Sequence, residues 1–250
     1  MRMVYHKMAE VYDQLMDNVP YDDWVVLIQQ MIAQAGRPIQ SIIDLGCGTG
    51  VITRKLAAEG YTMTGVDQSS EMLQKAQKDL ESVSSINWLE ADITELDGCK
   101  QQYDMAISCC DVINYVTDLQ NVETAFKNIY QLLEADGLFF FDVHSLYTVE
   151  DVYIGQTFSD AADEAAYIWE CVPGDEVGEM YHQLTFFHQE EGDRFIRFQE
   201  KHHQRTFPLE VYKNILKKIG FEKIKIYADF SLEPNSWNER SERIFFLAEK

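Results

Sequence analysis

Asp44-Leu45-Gly46-Cys47-Gly48-Thr49-Gly50 stands where the apolar run Ile42-Ile43-Asp44-Leu45 meets an amphipathic stretch beginning at Val51. A buried strand therefore runs into a helix through a loop with glycine at alternate positions, which lets the chain turn sharply and lets a ligand touch the backbone. The spacing is G-x-G-x-G and lacks the G-x-G-x-x-G of dinucleotide enzymes. Free N–H groups at the start of the following helix favour an anionic group. Asp44 argues against a pyrophosphate: its carboxylate repels phosphate and attracts an amino group carried by the ligand.

Outward from this loop the pattern alternates. Val51 to Glu59 reads as a helix ended by Gly60, Tyr61 to Val66 as a strand, Ser69 to Glu81 as a helix and Ile86 to Leu89 as a strand. A strand at Tyr103 to Ser108, a helix from Leu119 to Leu133 and the strongly apolar strand Leu138-Phe139-Phe140-Phe141 follow. Two helices precede the first strand, one around Met8 to Met16 and one through Trp24, Leu27, Ile28 and Met31. Strands alternating with helices predict an α/β fold with a parallel sheet covered on both faces and right-handed crossovers.

Between residues 151 and 207 the period changes. Tyr167 to Val172, Met180 to Gln189 and Arg194 to Thr206 read as three strands of a local antiparallel sheet inserted into the α/β pattern. A helix from Leu209 to Ile219 and strands at Lys223 to Tyr227 and Ile244 to Leu247 close the chain, so residues 1–150 and 208–250 form one domain and 151–207 its insertion.

The 250 residues carry a formal charge of −21, which gives non-specific nucleic-acid or anionic-membrane binding little support. No apolar run is long enough to span a membrane and the start has no signal-peptide character, so a cytoplasmic protein is expected. Cys47, Cys99, Cys109, Cys110 and Cys171 form no C-x-x-C pair, which leaves neither a disulfide framework nor a zinc site indicated.

Acids fall at the ends of three successive strands: Asp44, Asp67 in Gly65-Val66-Asp67-Gln68, and Asp92 in Ala91-Asp92-Ile93. Ligands of open α/β sheets bind at those ends. Asp67 can accept hydrogen bonds from both hydroxyls of a ribose, with no buried partner of its own expected there. Asp92 can take one from an adenine amino group, with Ile93 and Met72 against the ring.

With these motifs the chain resembles the class I S-adenosylmethionine-dependent methyltransferases, in particular a small bacterial subgroup with an N-terminal Tyr-Asp element and a β-rich insertion. The matches are Ala9-Glu10-Val11-Tyr12-Asp13, Asp44 to Gly50, Gly65-Val66-Asp67, Ala91-Asp92-Ile93, Tyr103-Asp104 with Cys110-Asp111, and Leu133 to Leu138. The resemblance implies a Rossmann-like seven-stranded sheet of order 3-2-1-4-5-7-6, S-adenosyl-L-methionine as cofactor and a small-molecule acceptor whose methylated atom, N, O, C or S, stays open. It implies that Gly46 and Gly48 face the methionine part, Asp67 the ribose and Asp92 the adenine, with Asp44, Cys47, Gly50, Gln68, Met72, Ala91 and Ile93 also among the cofactor-binding residues. Cys109 and Cys110 would lie on the sulfonium side, and Tyr12 would close over the cofactor.

Other readings stand beside these. Cys109 and Cys110 read as small pocket-lining residues or as reactive thiols. Asn114 and Tyr115 sit on a loop suited to holding substrate or to ordinary capping, and His144 reads as a proton acceptor or a structural histidine. Arg197, Lys201, His203 and Arg205 alternate along one strand and share a face, solvated or facing an anionic partner. A nicotinamide-dependent oxidoreductase, a non-catalytic S-adenosylmethionine sensor and another chemistry on the same fold are the alternatives.

Overall fold

Leu138-Phe139-Phe140-Phe141 shows how the layers form. In the computed structural model, which describes residues 19–78, 86–96, 101–161, 165–191 and 194–250, this run lies within a strand whose successive side chains leave opposite faces. Phe139 and Phe141 join one core with Phe126, Ile129, Tyr212 and Leu216. Phe140 joins another with Trp24, Ile28, Met31 and Phe245. A strand buried on both sides has no solvent face for polar residues, which is why it reads as a continuous apolar run.

The first lobe contains α1 (Tyr21–Ala33), β1 (Ser41–Leu45), α2 (Val51–Ala58), β2 (Thr62–Asp67), α3 (Ser70–Lys78), β3 (Asn87–Glu90), β4 (Tyr103–Ser108), α4 (Leu119–Leu132) and β5 (Leu133–His144). The second sheet comprises β6 (Thr157–Ala161), β7 (Ala165–Pro173), β8 (Glu179–Glu191) and β9 (Arg194–Arg205). The chain ends with α5 (Leu209–Ile219), β10 (Glu222–Ala228) and β11 (Arg243–Glu249). The main sheet is seven-stranded in the order β3-β2-β1-β4-β5-β11-β10, and β11 runs antiparallel to both of its neighbours. This is the Rossmann-like methyltransferase arrangement that the sequence resemblance implies.

Register places the site. Asp44 lies opposite Gly65 on one side and Ile107 on the other, and Asp67 lies opposite Glu90, so the carboxyl ends of β1, β2, β3 and β4 share one edge. α4 starts sharply because Asp118 accepts the amides of Gln120 and Asn121, satisfying two N–H groups that a helix start leaves open.

Two elements differ from the sequence pattern. β5 begins at Leu133, ahead of its apolar run: Leu133 pairs with Tyr103 and Leu138 with Met105, so the exposed residues between them bulge out. The inserted sheet has four strands where three are predicted. The extra strand, β6, is mostly exposed and pairs with β7 through its backbone, with Phe158 packing on Trp169, so it shows no alternation. The predicted helix at residues 8–16 lies outside the described residues, as do Tyr12, Cys99 and the end of the helix predicted to Glu81.

The inner face of the second sheet carries Tyr167 and Trp169 of β7, His182, Leu184 and Phe186 of β8, and Phe198, His202 and Gln204 of β9. Tyr167 is opposite Phe186, which is opposite Phe198, and His182 is opposite His202. Arg197, Lys201, His203 and Arg205 occupy the other face of β9, where Lys201 and His203 flank the ring of Tyr181. The Thr206 hydroxyl donates to the carbonyl of His144 at 2.6 Å, tying the returning chain to the end of β5. Among the described residues no helix is long and apolar enough to cross a membrane.

Candidate active site

The glycine loop spends its amides internally. The N–H groups of Gly46 and Cys47 both donate to the carbonyl of Val66, at 2.8 and 2.9 Å, Gly48 donates to Oδ2 of Asp67 at 2.9 Å, and Gly50 donates to the carbonyl of Cys47. β2 absorbs three of these donors, and the N–H groups at the start of α2 remain the expected place for an anionic group. Gly48 has φ +56° and an added Cβ would meet nothing within 4 Å, so its backbone opens directly on a cavity. Gly50 faces elsewhere. A Cβ there would collide with Trp88, and Gly50 is not on the cavity wall.

Asp44 is buried, and Thr53 donates to its Oδ2 at 2.5 Å. Burial raises its pKa to about 7; the Thr53 hydroxyl opposes the shift and the Asp67 charge adds to it. Asp67 accepts the amides of Gly48 and Ser69, at 2.9 and 2.8 Å, so the expectation that it has no partner of its own fails. Burial nevertheless raises its pKa, against the pull of those two amides. Two carboxylates on one wall favour a cation beside them.

The cavity, about 680 Å³, is walled by the strand ends on one side and by the inner face of the second sheet on the other. Asp44, Gly46, Cys47 and Gly48 line it with Asp67, Gln68 and Met72, and Ala91, Asp92 and Ile93 continue the same wall. Oδ1 of Asp92 accepts both the amide and the hydroxyl of Thr94, which sets the turn after β3. Cys109 and Cys110 also line it, and burial, with Asp142 nearby, pushes both thiols well above their usual range. They are neutral thiols at physiological pH and poor nucleophiles. Among the described residues no cluster of His, Cys, Asp and Glu is arranged to hold a metal.

Tyr115 and His144 line the cavity, but Asn114 does not. Asn114 is buried, donates to the carbonyl of Arg205 and accepts the amide of His144, so it clamps β9 to β5. Beside His144 lies a charged cluster absent from the sequence candidates. Arg243 pairs with Asp142 and with Oδ1 of Asp111, the latter at 3.2 Å, and His144 Nε2 is 3.4 Å from the same oxygen. Cys110 and Asp111 both take positive φ, 62° and 54°, which turns their amides onto the Asp142 carboxylate. Burial disfavours the Asp111 charge, yet His144, Arg243 and Gln204 hold its carboxyl well below the usual range.

A chain of hydrogen bonds joins this cluster to the second sheet. Trp169 Nε1 donates to Nδ1 of His182 at 2.8 Å, so Nε2 of the neutral ring donates to Oε1 of Gln204 at 2.9 Å. Gln204 Nε2 then donates to Oδ2 of Asp111 at 2.8 Å. Burial lowers the pKa of His182 below its usual value, in keeping with a neutral ring.

Residues 42–137 match the family model described as methyltransferase domain. YqeM, a Bacillus subtilis protein whose name assigns it to the methyltransferases, is 39% identical over 249 residues, covering 99% of this chain and 98% of YqeM. The chain belongs to the class I S-adenosylmethionine-dependent methyltransferases. The crystal structure of an S-adenosylmethionine-dependent methyltransferase from Clostridium acetobutylicum superposes on this methyltransferase with a TM-score of 0.87, at 28% identity and with 98% of each chain covered. CalS10 of Micromonospora echinaspora, an amino pentose methyltransferase solved with S-adenosylmethionine bound, shares the fold at a TM-score of 0.77 and 16% identity over 96% of each chain. S-adenosylmethionine is the cofactor of the methyltransferase, and a wall carrying the carboxylates of Asp44 and Asp67 suits a molecule with two positive centres as it would not suit a pyrophosphate.

Proposed function

We propose that this methyltransferase acts in the cytoplasm on a small-molecule acceptor held between the strand ends and the inserted sheet. The observation that carries this reading is the cavity itself, whose volume of about 680 Å³ is of the size that takes small molecules and must hold cofactor and acceptor together. Aromatic side chains from the insertion, Tyr167, Trp169, Phe186 and Phe198, form its far wall, so the acceptor carries an apolar body. A formal charge of −21 opposes a nucleic-acid acceptor. CalS10, with the same fold, acts on an amino pentose, an acceptor of the size proposed here. Among the described residues the thiols of Cys47, Cys109, Cys110 and Cys171 are free, as suits a reducing compartment.

In this reading residues 1–150 and 208–250 hold the cofactor and 151–207 cap the acceptor. Gly46 and Gly48 take the methionine part, with its ammonium at Asp44; Asp67 and Gln68 take the ribose; Asp92, Ile93 and Met72 take the adenine; Cys109 and Cys110 flank the sulfur. A carboxylate has about four lone-pair sites, so Asp67 keeps two for the ribose hydroxyls after binding Gly48 and Ser69. Methyl transfer is an in-line displacement, so the residues contribute mainly by alignment and exclusion of water.

Methyl-labelled S-adenosylmethionine and a bacterial extract, separated into small-molecule and macromolecular fractions, test the reading. Label should enter the small-molecule fraction. Label confined to protein or RNA contradicts it.

A further inference from the structure

Methyl transfer to an amine or hydroxyl releases a proton, and the cavity rim holds a group of side chains that the cofactor site does not use. Tyr115, on the turn after β4, is 44% exposed and lines the cavity. Its hydroxyl lies 3.1 Å from Nδ1 of His202 on the inner face of β9. The other ring nitrogen, Nε2, lies 3.0 Å from Oε2 of Glu200, two positions earlier on the same strand and therefore on the same face.

The Glu200 side chain is only 5% exposed, and its Oε1 is buried with no hydrogen-bond partner among the described residues. Where Glu200 accepts from Nε2, the ring proton lies on Nε2 and the Nδ1 lone pair faces the Tyr115 hydroxyl. The other candidate, His144, is already engaged with Asp111 inside the Arg243 cluster.

We propose that Tyr115, His202 and Glu200 form a relay that takes up the proton released by the acceptor. The proposal rests on the reading that the acceptor is a small molecule in this cavity. The acceptor's lone pair bonds to the methyl carbon as the S–CH3 bond breaks with its electron pair left on sulfur. The proton on the acceptor atom passes to the Tyr115 oxygen while the Tyr115 proton passes to Nδ1 of His202, leaving an imidazolium beside the Glu200 carboxylate. Tyr115 touches the acceptor, and His202 and Glu200 act through it.

The test has two arms on the full chain with S-adenosylhomocysteine or labelled S-adenosylmethionine as the probe. Nitrogen-15 histidine NMR of the S-adenosylhomocysteine complex, with His202→Gln to assign the signal, reports which ring nitrogen carries the proton. The relay requires Nε2–H in the wild type and loss of that preference in Glu200→Gln; a proton on Nδ1 overturns it. In the turnover arm, Tyr115→Phe and His202→Gln should each slow labelling of the small-molecule fraction about a hundredfold or more while S-adenosylhomocysteine affinity stays within about threefold. Turnover of Tyr115→Phe within about threefold of wild type also overturns it. If the wild type labels no small molecule, the acceptor reading fails, and the proton position still decides the relay.

Discussion

The amide of Gly48 donates to Oδ2 of Asp67 at 2.9 Å, so one carboxylate both closes the glycine loop onto β2 and faces the cavity. A residue in that position serves stability and binding together, and its removal is felt in both.

Asp67→Ala should therefore weaken S-adenosylhomocysteine binding roughly tenfold to a hundredfold. It should also destabilise the unliganded protein by about 1–3 kcal/mol, because the amides of Gly48 and Ser69 lose a charged acceptor. Calorimetric titration and denaturant melts measure the two effects. Affinity within about threefold of wild type would show that Asp67 is purely structural.

Asp44 makes the site sensitive to pH. Its folded pKa of about 7 lies above the unfolded carboxyl value, so between the two the folded state holds the extra proton, and this group's contribution to stability falls as pH rises towards 7. A bound ammonium favours the ionised form and reverses the preference. Binding of S-adenosylhomocysteine should thus weaken below pH 7 by up to about tenfold per unit. Asp44→Asn should bind weakly with little pH dependence, and its unliganded form should be more stable than wild type at about pH 8. Titrations at several pH values decide it, and flat wild-type binding contradicts the assignment.

Arg243→Met removes the cation from the pair of carboxylates Asp111 and Asp142. Stranding buried charge costs about 3–5 kcal/mol, so the variant should melt far below wild type at neutral pH and recover part of the loss on acidification. Chemical denaturation at two pH values reads this. A neutral change in stability would mean that the cluster is solvated.

Two glycines of one loop should separate by readout. Gly50→Ala forces a side chain against Trp88 at φ +78°, and should lower the melting temperature in the absence of ligand. Gly48→Ala meets no atom within 4 Å, so beyond about 1 kcal/mol for the left-handed backbone its effect should appear as lost S-adenosylhomocysteine affinity. Equal effects on both measurements for both variants would place the two positions in the same environment.

The strand-end wall of the cavity was legible because acids fall where the strands end: Asp44, Asp67 and Asp92 need only the β-α alternation to be brought to one edge. Their hydrogen-bond partners were not, since the donation of Gly46 and Cys47 to Val66 depends on the spacing of two paired strands. The facing wall was harder to read. Asp111, His182, Gln204 and Arg243 meet only after β11 closes against β5 and the second sheet folds over. On β9 the basic residues Arg197, Lys201 and His203 attracted attention to one face, whereas the cavity uses Phe198, His202 and Gln204 on the other. Asp111 at the end of β4 carried the one available signal, an acid at the same edge as Asp44 and Asp67.

On this reading the glycine loop and its acids form a site for a cationic, amino-acid-bearing nucleoside and not for a pyrophosphate. Calorimetric titration of the wild type with S-adenosylhomocysteine, NAD and NADP separates the two possibilities. Saturable binding of S-adenosylhomocysteine with no heat from either dinucleotide is the predicted result; tight NAD binding with no response to S-adenosylhomocysteine would contradict it.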